Sequence, residues 1–446
     1  MRRRRRTYAR TSATPAELLE DRQLLTGLDF GDATLLADQG LIPGTALEDL
    51  QVSGEGVDVY PAFSPDQLRY SVTPSAETDG ITIAPFANAD QQVTVNGRSI
   101  DAGDSIVLRD LSEGETVFLN VYDAGDHDAE PRTYEIIYLP IDFPLEVQLN
   151  AAADVNTGSI YVTPRPQNGT NYVARIDHNG VPEFVQSFEQ PAVQGRGPTV
   201  RIADFKQHAN GLFSYSDAST RNEFNRYTSE FVILDHNFQE IDRVDAIGNG
   251  INHTDFHDFL ILENGNYAFL SYNGVERDGV FYEDSVVVVI DPTTKEEVFR
   301  WDSWEEIGSN IGTPENEVVD IGEQLGGETR IPEYAHINSL FQDENGDYIM
   351  SLRFTSSIIK VDGETSEIIW RLGGLRSDFE IDDPWGGPCG QHTAQINSKG
   401  NLIFFDNGTP CPELPEYDAR PEDNDRRMRY VEYELDEQNM TATLVR

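Results

Sequence analysis

A two-part repeat running through roughly the last three hundred residues is the strongest constraint on what this chain can fold into. One unit is an apolar strand that ends in Asp, then a turn and a second apolar strand: Val173-Ala-Arg-Ile-Asp177, Val232-Ile-Leu-Asp235, Val288-Val-Ile-Asp291, Ile359-Lys-Val-Asp362 and Tyr433-Glu-Leu-Asp436. The other is a strand, a glycine-centred turn and a returning strand, with the glycines at Gly211, Gly265, Gly346 and Gly400, separated by 54, 81 and 54 residues. Periods of about 40–50 residues with four strands each are the mark of propeller blades. About 306 residues lie beyond residue 139, enough for six blades of about 51 each. A large twisted sandwich is the alternative, but it leaves the regular alternation of two hairpin types unexplained. The long interval contains an acidic, glycine-bearing stretch from Trp304 to Glu333, which reads as an insertion.

Upstream, the pattern is strand-rich but carries no such repeat. Leu68–Val72, Ile81–Ala84, Gln92–Val95, Val117–Val121 and Tyr134–Tyr138 alternate with period two, which half-buried strands require. Asn96-Gly97 is a hairpin signal, because a type I′ turn needs positive φ at both central residues. About ninety residues of short strands between turns describe a β-sandwich. Residues 1–46 are polar, punctuated by Gly and Pro, and read as a basic leader and linker. The expected plan is therefore all-β: a leader over 1–46, a small β-sandwich over 47–139, and a six-bladed β-propeller over 140–446.

Charge narrows the partners. The chain has 78 Asp and Glu against 33 Lys and Arg, a formal net charge of −45, with lysine only at Lys206, Lys295, Lys360 and Lys399. Such a surface repels nucleic acid and anionic lipid, both of which need basic patches to displace counterions. No run of about 18 apolar residues is present to span a bilayer. The cluster Arg2–Arg6 lacks a following apolar segment and so is no ordinary signal peptide. The segment Leu19–Thr26 resembles the LEPR-XLL motif near the start of large exported bacterial proteins, which sets an expectation of an extracytoplasmic location.

Eight histidines are present: His127, His178, His208, His236, His253, His257, His336 and His392. His178 and His236 follow the strand-end Asp into turns, His208 sits just before the Gly211 turn, and His127 lies in an acidic loop; no chemistry is assigned to these four. His257 precedes Gly265 by eight residues, His392 precedes Gly400 by eight, His336 precedes Gly346 by ten and His253 precedes Gly265 by twelve. Even offsets put side chains on one face when strand pairing is regular. In a propeller, equivalent strand starts converge on one end of the central channel. A lone strand histidine is usually a satisfied polar residue; three from separate repeats at matching phase point to a shared site. Arg353 ends the strand that returns from His336. Alone it reads as a surface cation, but beside histidines in an acidic chain its planar, permanent charge suits an anionic ligand.

Two resemblances follow from these residues. Leu50, Phe63-Ser64-Pro65, Tyr70-Ser71-Val72, Val95-Asn96-Gly97, Leu111 with Gly114, and Thr133-Tyr134 resemble the cadherin-like β-sandwich domain of bacterial surface proteins, an accessory module. His257-Asp-Phe with Asn264-Gly-Asn, His336-Ile-Asn-Ser, Ser351-Leu-Arg353, Trp370-Arg-Leu-Gly-Gly374, Gln391-His392-Thr-Ala and Phe405-Asp-Asn-Gly408 resemble the bacterial arylsulfate sulfotransferase family. That resemblance implies a six-bladed propeller moving a sulfuryl group from an aryl sulfate to a phenol, with no nucleotide sulfate donor, cofactor or metal. It implies that His392 is transiently sulfated, that His336, Asn338 and Arg353 are the flanking oxyanion and proton-handling residues, and that His257 is the remaining histidine. His253 would replace His257 with one alignment gap. A trailing arginine fits Arg429, with Arg426 and Arg427 as alternatives.

The residue types suit that chemistry. Neutral imidazole is a competent nucleophile near neutral pH, and fixed cationic donors offset charge on non-bridging oxygens. Cys389 and Cys411 also gain meaning. If Ser398-Lys399 forms the turn, paired positions sum to about 797, while the cysteines sum to 800, so a disulfide would close the open end of the His392 hairpin in an oxidising compartment. Two rival readings use the same residues. One is a non-catalytic propeller binding anionic glycans. The other is a metal-dependent hydrolase built on His253, His257, His336 or His392 with neighbouring Asp.

Overall fold

The strand-end aspartates do one local job throughout the C-terminal part of the chain. In Asp235, Asp362 and Asp436 the carboxylate accepts backbone amides two to four residues on, at 2.7–3.0 Å, folding each turn back on its own strand. The glycines close the other hairpin. Gly211, Gly265, Gly346 and Gly400 have φ of 82°, 85°, 88° and 82°. Nothing lies within 4 Å of where a Cβ would sit, so backbone conformation and not space selects glycine there. Local chemistry thus writes the repeat.

The computed structural model describes residues 45–446 apart from 102, 124–129, 145–157, 165–169, 189–201, 222–226, 249–250, 252, 314–315, 321, 327–328 and 418–427. Arg2–Arg6, Leu19–Thr26, His127, Arg426 and Arg427 lie outside the described residues. Strands dominate, and the fold is all-β. No helix among the described residues is long and apolar enough to cross a membrane.

The N-terminal part is sandwich-like. A three-stranded sheet of Asp49–Ser53, Ile81–Phe86 and Ile106–Leu108 faces a six-stranded one built around Arg69–Thr73, Arg132–Tyr138 and Thr116–Asp123. Burial alternates along these strands, and the inward set includes Leu50, Tyr70, Ile81, Ile83, Val117 and Ile136 in one shared core. Each such side chain contributes about 1.5–3 kcal/mol when fully buried. Asn96 and Gly97 have φ of 48° and 75°, as the type I′ turn demands. The sandwich docks on the sheet that follows it. Ile137, Leu139 and Phe143 pack with Tyr172, Ala174 and Val185, and Glu183 receives both Arg69 (2.5 Å) and Arg175 (2.6 Å).

Beyond it, the described residues form five sheets that follow one another along the chain. They begin at Ile160–Val162, Ile202–Gln207, His253–Ile261, Ile337–Gln342 and Glu380–Asp382; in the last sheet His392–Ile396 is an edge strand. Apolar clusters join each sheet to the next. Tyr161 and Val173 meet Phe213 and Val232; Phe231 and Ile233 meet Phe259 and Phe269. Leu270 and Val287 meet Leu340 and Met350, and Ile358 and Trp370 meet Phe404 and Val431.

A second set of ties links the histidine-bearing edge strands directly. The Ile261 amide donates to Nδ1 of His208 (3.2 Å), the Leu340 amide to Oδ2 of Asp258 (2.7 Å), and the Ala394 amide to Oγ of Ser339 (2.9 Å). Each of the last three edge strands therefore has one backbone amide satisfied by a side chain in, or just after, the edge strand before it. That arrangement pulls the four strands Ile202–Gln207, His253–Ile261, Ile337–Gln342 and His392–Ile396 side by side.

Candidate active site

The three histidines reach one place through irregular strand pairing. In His253–Ile261, Thr254 pairs with Ser271 and the next registered pair is Phe259 with Phe269, so residues 255–258 stand opposite Leu270 alone. In Ile337–Gln342, Asn338 is the extra residue between Ile337 and Ser339. In His392–Ile396, Thr393 and Ala394 stand opposite Phe404. The neighbouring strand Ile202–Gln207 is bulged at Asp204 and Phe205. Bulges bend a strand and re-aim its side chains. The even offsets from the turn glycines assume regular pairing, and the structure corrects that assumption. Asp204, His336 and Thr393 have φ of 51°, 52° and 57°, a conformation uncommon for non-glycine residues.

One nitrogen from each of His257, His336 and His392 lies within 4.8 Å of the other two. The His257 ring is edge-on to His336 (centroids 5.3 Å apart) and tilted to His392 (6.1 Å). Each ring is held by its outer nitrogen. Nδ1 of His257 meets Oδ1 of Asp255 at 2.6 Å, Nδ1 of His336 meets Oε1 of Glu333 at 2.8 Å, and Nδ1 of His392 meets the Asn407 side-chain amide at 2.9 Å. Nε2 of His392 is the ring atom that Asn407 does not engage. Phe256 stacks on His257 (4.3 Å) and Phe354 packs against His336 (5.0 Å), giving the site apolar flanks.

Electrostatics separate the imidazoles. His392 is 7% exposed. Burial, followed by His257, Arg353 and His336, drives its pKa well below the ordinary imidazole range. It is therefore neutral at pH 7. Asp255 behaves oppositely: burial works against its charge, yet the charge and hydrogen bonds of His257 hold it below the usual carboxylate range. The Asp255 carboxylate therefore stays ionised beside Nδ1 of His257.

Arg353 opens a short 3₁₀ turn, Arg353–Thr355, and its amide donates to the His336 carbonyl (3.0 Å). Its guanidinium carbon is 5.3 Å from the Phe354 ring centre, and the group is close enough to His392 to lower its basicity. Asn338 donates Nδ2 to the Gln391 carbonyl (2.9 Å), and Ser351 Oγ donates to the same oxygen (3.0 Å). Gln391 in turn donates to Ser351, Leu352 and Ser357, at 2.8–3.2 Å. This buried network fixes the peptide leading into His392, and Asn338 is part of it. Cys389 and Cys411 form a disulfide beside it.

Other predicted residues fall outside the cluster. His253 stacks on Tyr272 (5.0 Å) with Nε2 3.7 Å from Glu283, one layer behind; His257 is the histidine that joins His336 and His392. Arg429 is bound by Asp383 (2.6 Å) and Asp406 (3.0 Å), and Asp406 accepts the amides of Cys389 and Gly408. Arg429 thus braces the loop that carries Asn407. His208 is buried and structural, with Nε2 at 2.7 Å from Ser214 Oγ.

Among the described residues, no carboxylate joins the three imidazoles as a fourth potential ligand; Asp255 and Glu333 hold outer nitrogens instead. With Arg353 adjacent, the cluster suits an anion. The sequence profile of the arylsulfotransferase (ASST) family matches residues 146–446. The chain belongs to the arylsulfotransferase family. A cadherin-like beta sandwich domain matches residues 47–138. Family membership supports aryl sulfotransferase activity in general, on small-molecule aryl sulfates and phenols.

No protein of curated function matches this arylsulfotransferase significantly in sequence. Similar solved structures include a protein of unknown function from Bacteroides caccae (12% identity, 65% of this chain and 99% of that one, TM-score 0.29). A protein from Lactobacillus plantarum (9%, 84% and 93%, TM-score 0.35) and a streptogramin B lyase (12%, 80% and 95%, TM-score 0.28) are also similar. At these scores the overlaps carry no functional argument.

Sequence reasoning missed two partners of this arylsulfotransferase's histidines. Asp255 lies two residues before His257, where only the bulge lets it turn back. Glu333 is the last residue of the stretch read as an insertion. The one available signal was an acidic residue two or three positions before a histidine, and in so acidic a chain that signal is faint.

Proposed function

We propose that this arylsulfotransferase is a six-bladed propeller enzyme that moves a sulfuryl group from a phenolic sulfate ester to a phenol by a ping-pong route through sulfohistidine at His392, independent of any nucleotide sulfate donor. The observation that carries this reading is a neutral, buried imidazole packed between two carboxylate-braced histidines and a guanidinium. Attack by Nε2 needs the proton on Nδ1, the tautomer in which the Asn407 amide turns its oxygen, in place of the Nδ2 placed at 2.9 Å, to accept that N–H. The S–O bond of the ester breaks as the N–S bond forms, and the phenolate leaves. A second phenol then takes the sulfuryl group and restores His392. Arg353 and a flanking histidine offset charge on the non-bridging oxygens, as cationic clamps do in phosphoryl transfer. The propeller proposal is supported by five consecutive sheets sharing apolar faces and by the ties between successive edge strands.

Intact mass spectrometry after brief exposure to 4-nitrophenyl sulfate tests the route. A sulfuryl adduct is expected on the wild type and none on His392→Asn. An identical adduct on the variant removes His392 from the nucleophile role, and tight binding without turnover would identify a binding module instead. We also infer an extracytoplasmic location, which the Cys389–Cys411 disulfide supports, because cytosolic thiols are kept reduced. Alkylation of both cysteines in protein trapped from the producing cells would overturn it.

A further inference from the structure

The two carboxylate–histidine pairs are built differently. Asp255 lies within the bulge of His257's own strand and binds that residue twice, through Nδ1 (2.6 Å) and through the backbone amide (2.7 Å). Glu333 arrives from elsewhere. It ends the hairpin Gly322–Gly326 and Thr329–Glu333, and pairs in parallel with Glu283 on the long strand Val280–Ile290. It is 1% exposed. Beside it, Tyr334 is anchored by Asp284 and by Ser303 Oγ (3.0 Å). Glu333 also hydrogen-bonds Tyr272, whose ring lies on His253, and His253 in turn approaches Glu283. His336 therefore backs onto a connected set of buried acids and bases: Glu333, Tyr272, His253 and Glu283. On its open side it faces His257 and His392, with Arg353 following in the chain from the same hairpin.

We propose that Glu333, delivered by the inserted arm, is the positioning residue that makes His336 the proton carrier of the reaction, while Asp255 locks His257 as a fixed cationic clamp. This rests on the sulfohistidine reading of the same site. In the first half-reaction His392 Nε2 bonds to sulfur, the S–O(aryl) bond breaks, and the leaving oxygen takes the Nε2 proton of His336, which becomes neutral. In the second, the acceptor's O–H proton passes to His336 as its oxygen bonds to sulfur and the N–S bond breaks. Glu333 stays hydrogen-bonded to Nδ1 throughout. It keeps Nε2 turned inward. His257 donates hydrogen bonds to the sulfuryl oxygens and exchanges no proton.

Leaving-group dependence separates the two roles. A phenol of low pKa departs as the anion without help, whereas an unactivated one needs a proton. With a common acceptor, Glu333→Gln is expected to lower kcat/KM for phenyl sulfate by about 10²-fold and for 4-nitrophenyl sulfate by less than about 5-fold. Asp255→Asn is expected to lower both equally. Glu333→Asp, which keeps the charge, should restore most of the phenyl sulfate rate and guards against a folding defect in the Gln variant. Equal losses for the two esters in Glu333→Gln would overturn the assignment, as would a leaving-group split in Asp255→Asn. Adduct detection reads the other hypothesis independently. If the wild type forms no adduct on His392 but the split appears, the sulfohistidine route fails and the Glu333 assignment stands.

Discussion

The sandwich and the histidine-bearing sheets use the same strand chemistry but differ in what they bury. Among the described residues of the sandwich, the buried polar side chains are Thr45, Ser71 and Arg132, around a core of aliphatic and tyrosyl groups. In the histidine-bearing sheets Asp255, Glu283, Glu333, His336, Arg353 and His392 are all buried, in a chain whose surface is acidic. Taking such groups out of water costs several kcal/mol each unless partners restore the lost hydrogen bonds. Backbone strain divides the same way. Positive φ in the sandwich falls at turn residues such as Asn96 and Gly97, whereas Asp204, His336 and Thr393 carry it in or beside the bulged strands. One region is organised for stability, the other for holding an unfavourable arrangement of charges still.

The sharpest break of this comparison is His392→Asn. Transfer is expected to fall by at least about 10³-fold while the melting temperature stays within a few degrees, because the ring serves chemistry and not the core. Calorimetry with a phenol-transfer assay checks both halves, and a large stability loss with residual activity would erase the distinction. The mirror experiment is Ile136→Ala, in a fully buried sandwich position. It should cost about 2–5 kcal/mol of stability, read by denaturant unfolding, and leave turnover per folded molecule unchanged. A comparable drop in turnover would mean that the sandwich shapes the site.

Between these extremes lies the disulfide. It joins residues 22 apart in sequence and closes the loop that contains His392, so Cys389→Ser with Cys411→Ser should destabilise by about 3 kcal/mol in the loop-entropy account. Hydrogen exchange should localise that loss to the Gln391–Asn407 network and spare the sandwich; uniform loosening would contradict the proposed division. Arg353→Lys keeps the charge but loses the planar fork, and about 10²-fold in kcat/KM is expected. An unchanged value would demote Arg353 to a structural cation.

The smallest effect is a displaced pH profile. Burial, His257, Arg353 and His336 depress His392, so its neutral form persists as pH falls through the ordinary imidazole range. The acid limb of kcat/KM should therefore lie below pH 6.5, and Arg353→Met should move it upward. Stability carries the same sign: the buried neutral ring contributes fully above the unfolded value, and the contribution falls as pH drops toward the folded one. An acid limb at or above pH 6.5 would show that His392 is not the depressed group.

Much of this was legible in the chain. The Asp and Gly turns fixed the repeat because an Asx turn and a positive φ are properties of single residues. The sandwich strands appear within one to three residues of the period-two segments: Leu68–Val72 is observed as Arg69–Thr73, and Tyr134–Tyr138 as Arg132–Tyr138. His257, His336 and His392 were identifiable as a group from their place in the repeat. The reason they meet was not, because bulges, and not even spacing, aim them. His253 and His257 sit on one strand, and sequence could not choose between them; three surplus residues in the bulge decide it. Arg429 looked like a site arginine, yet Asp383 and Asp406 claim its guanidinium.

By itself, then, the sequence determined what is local or periodic: strands, turns, the repeat, the acidic surface and which histidines share a phase. Only the tertiary structure decided which carboxylate serves which imidazole. Glu333 reaches His336 because an inserted hairpin pairs with the strand bearing Glu283, a contact across 50 residues whose geometry no local pattern encodes. His392 is neutral because burial and three basic neighbours act on it together, and that sum exists only once the strands have been brought side by side.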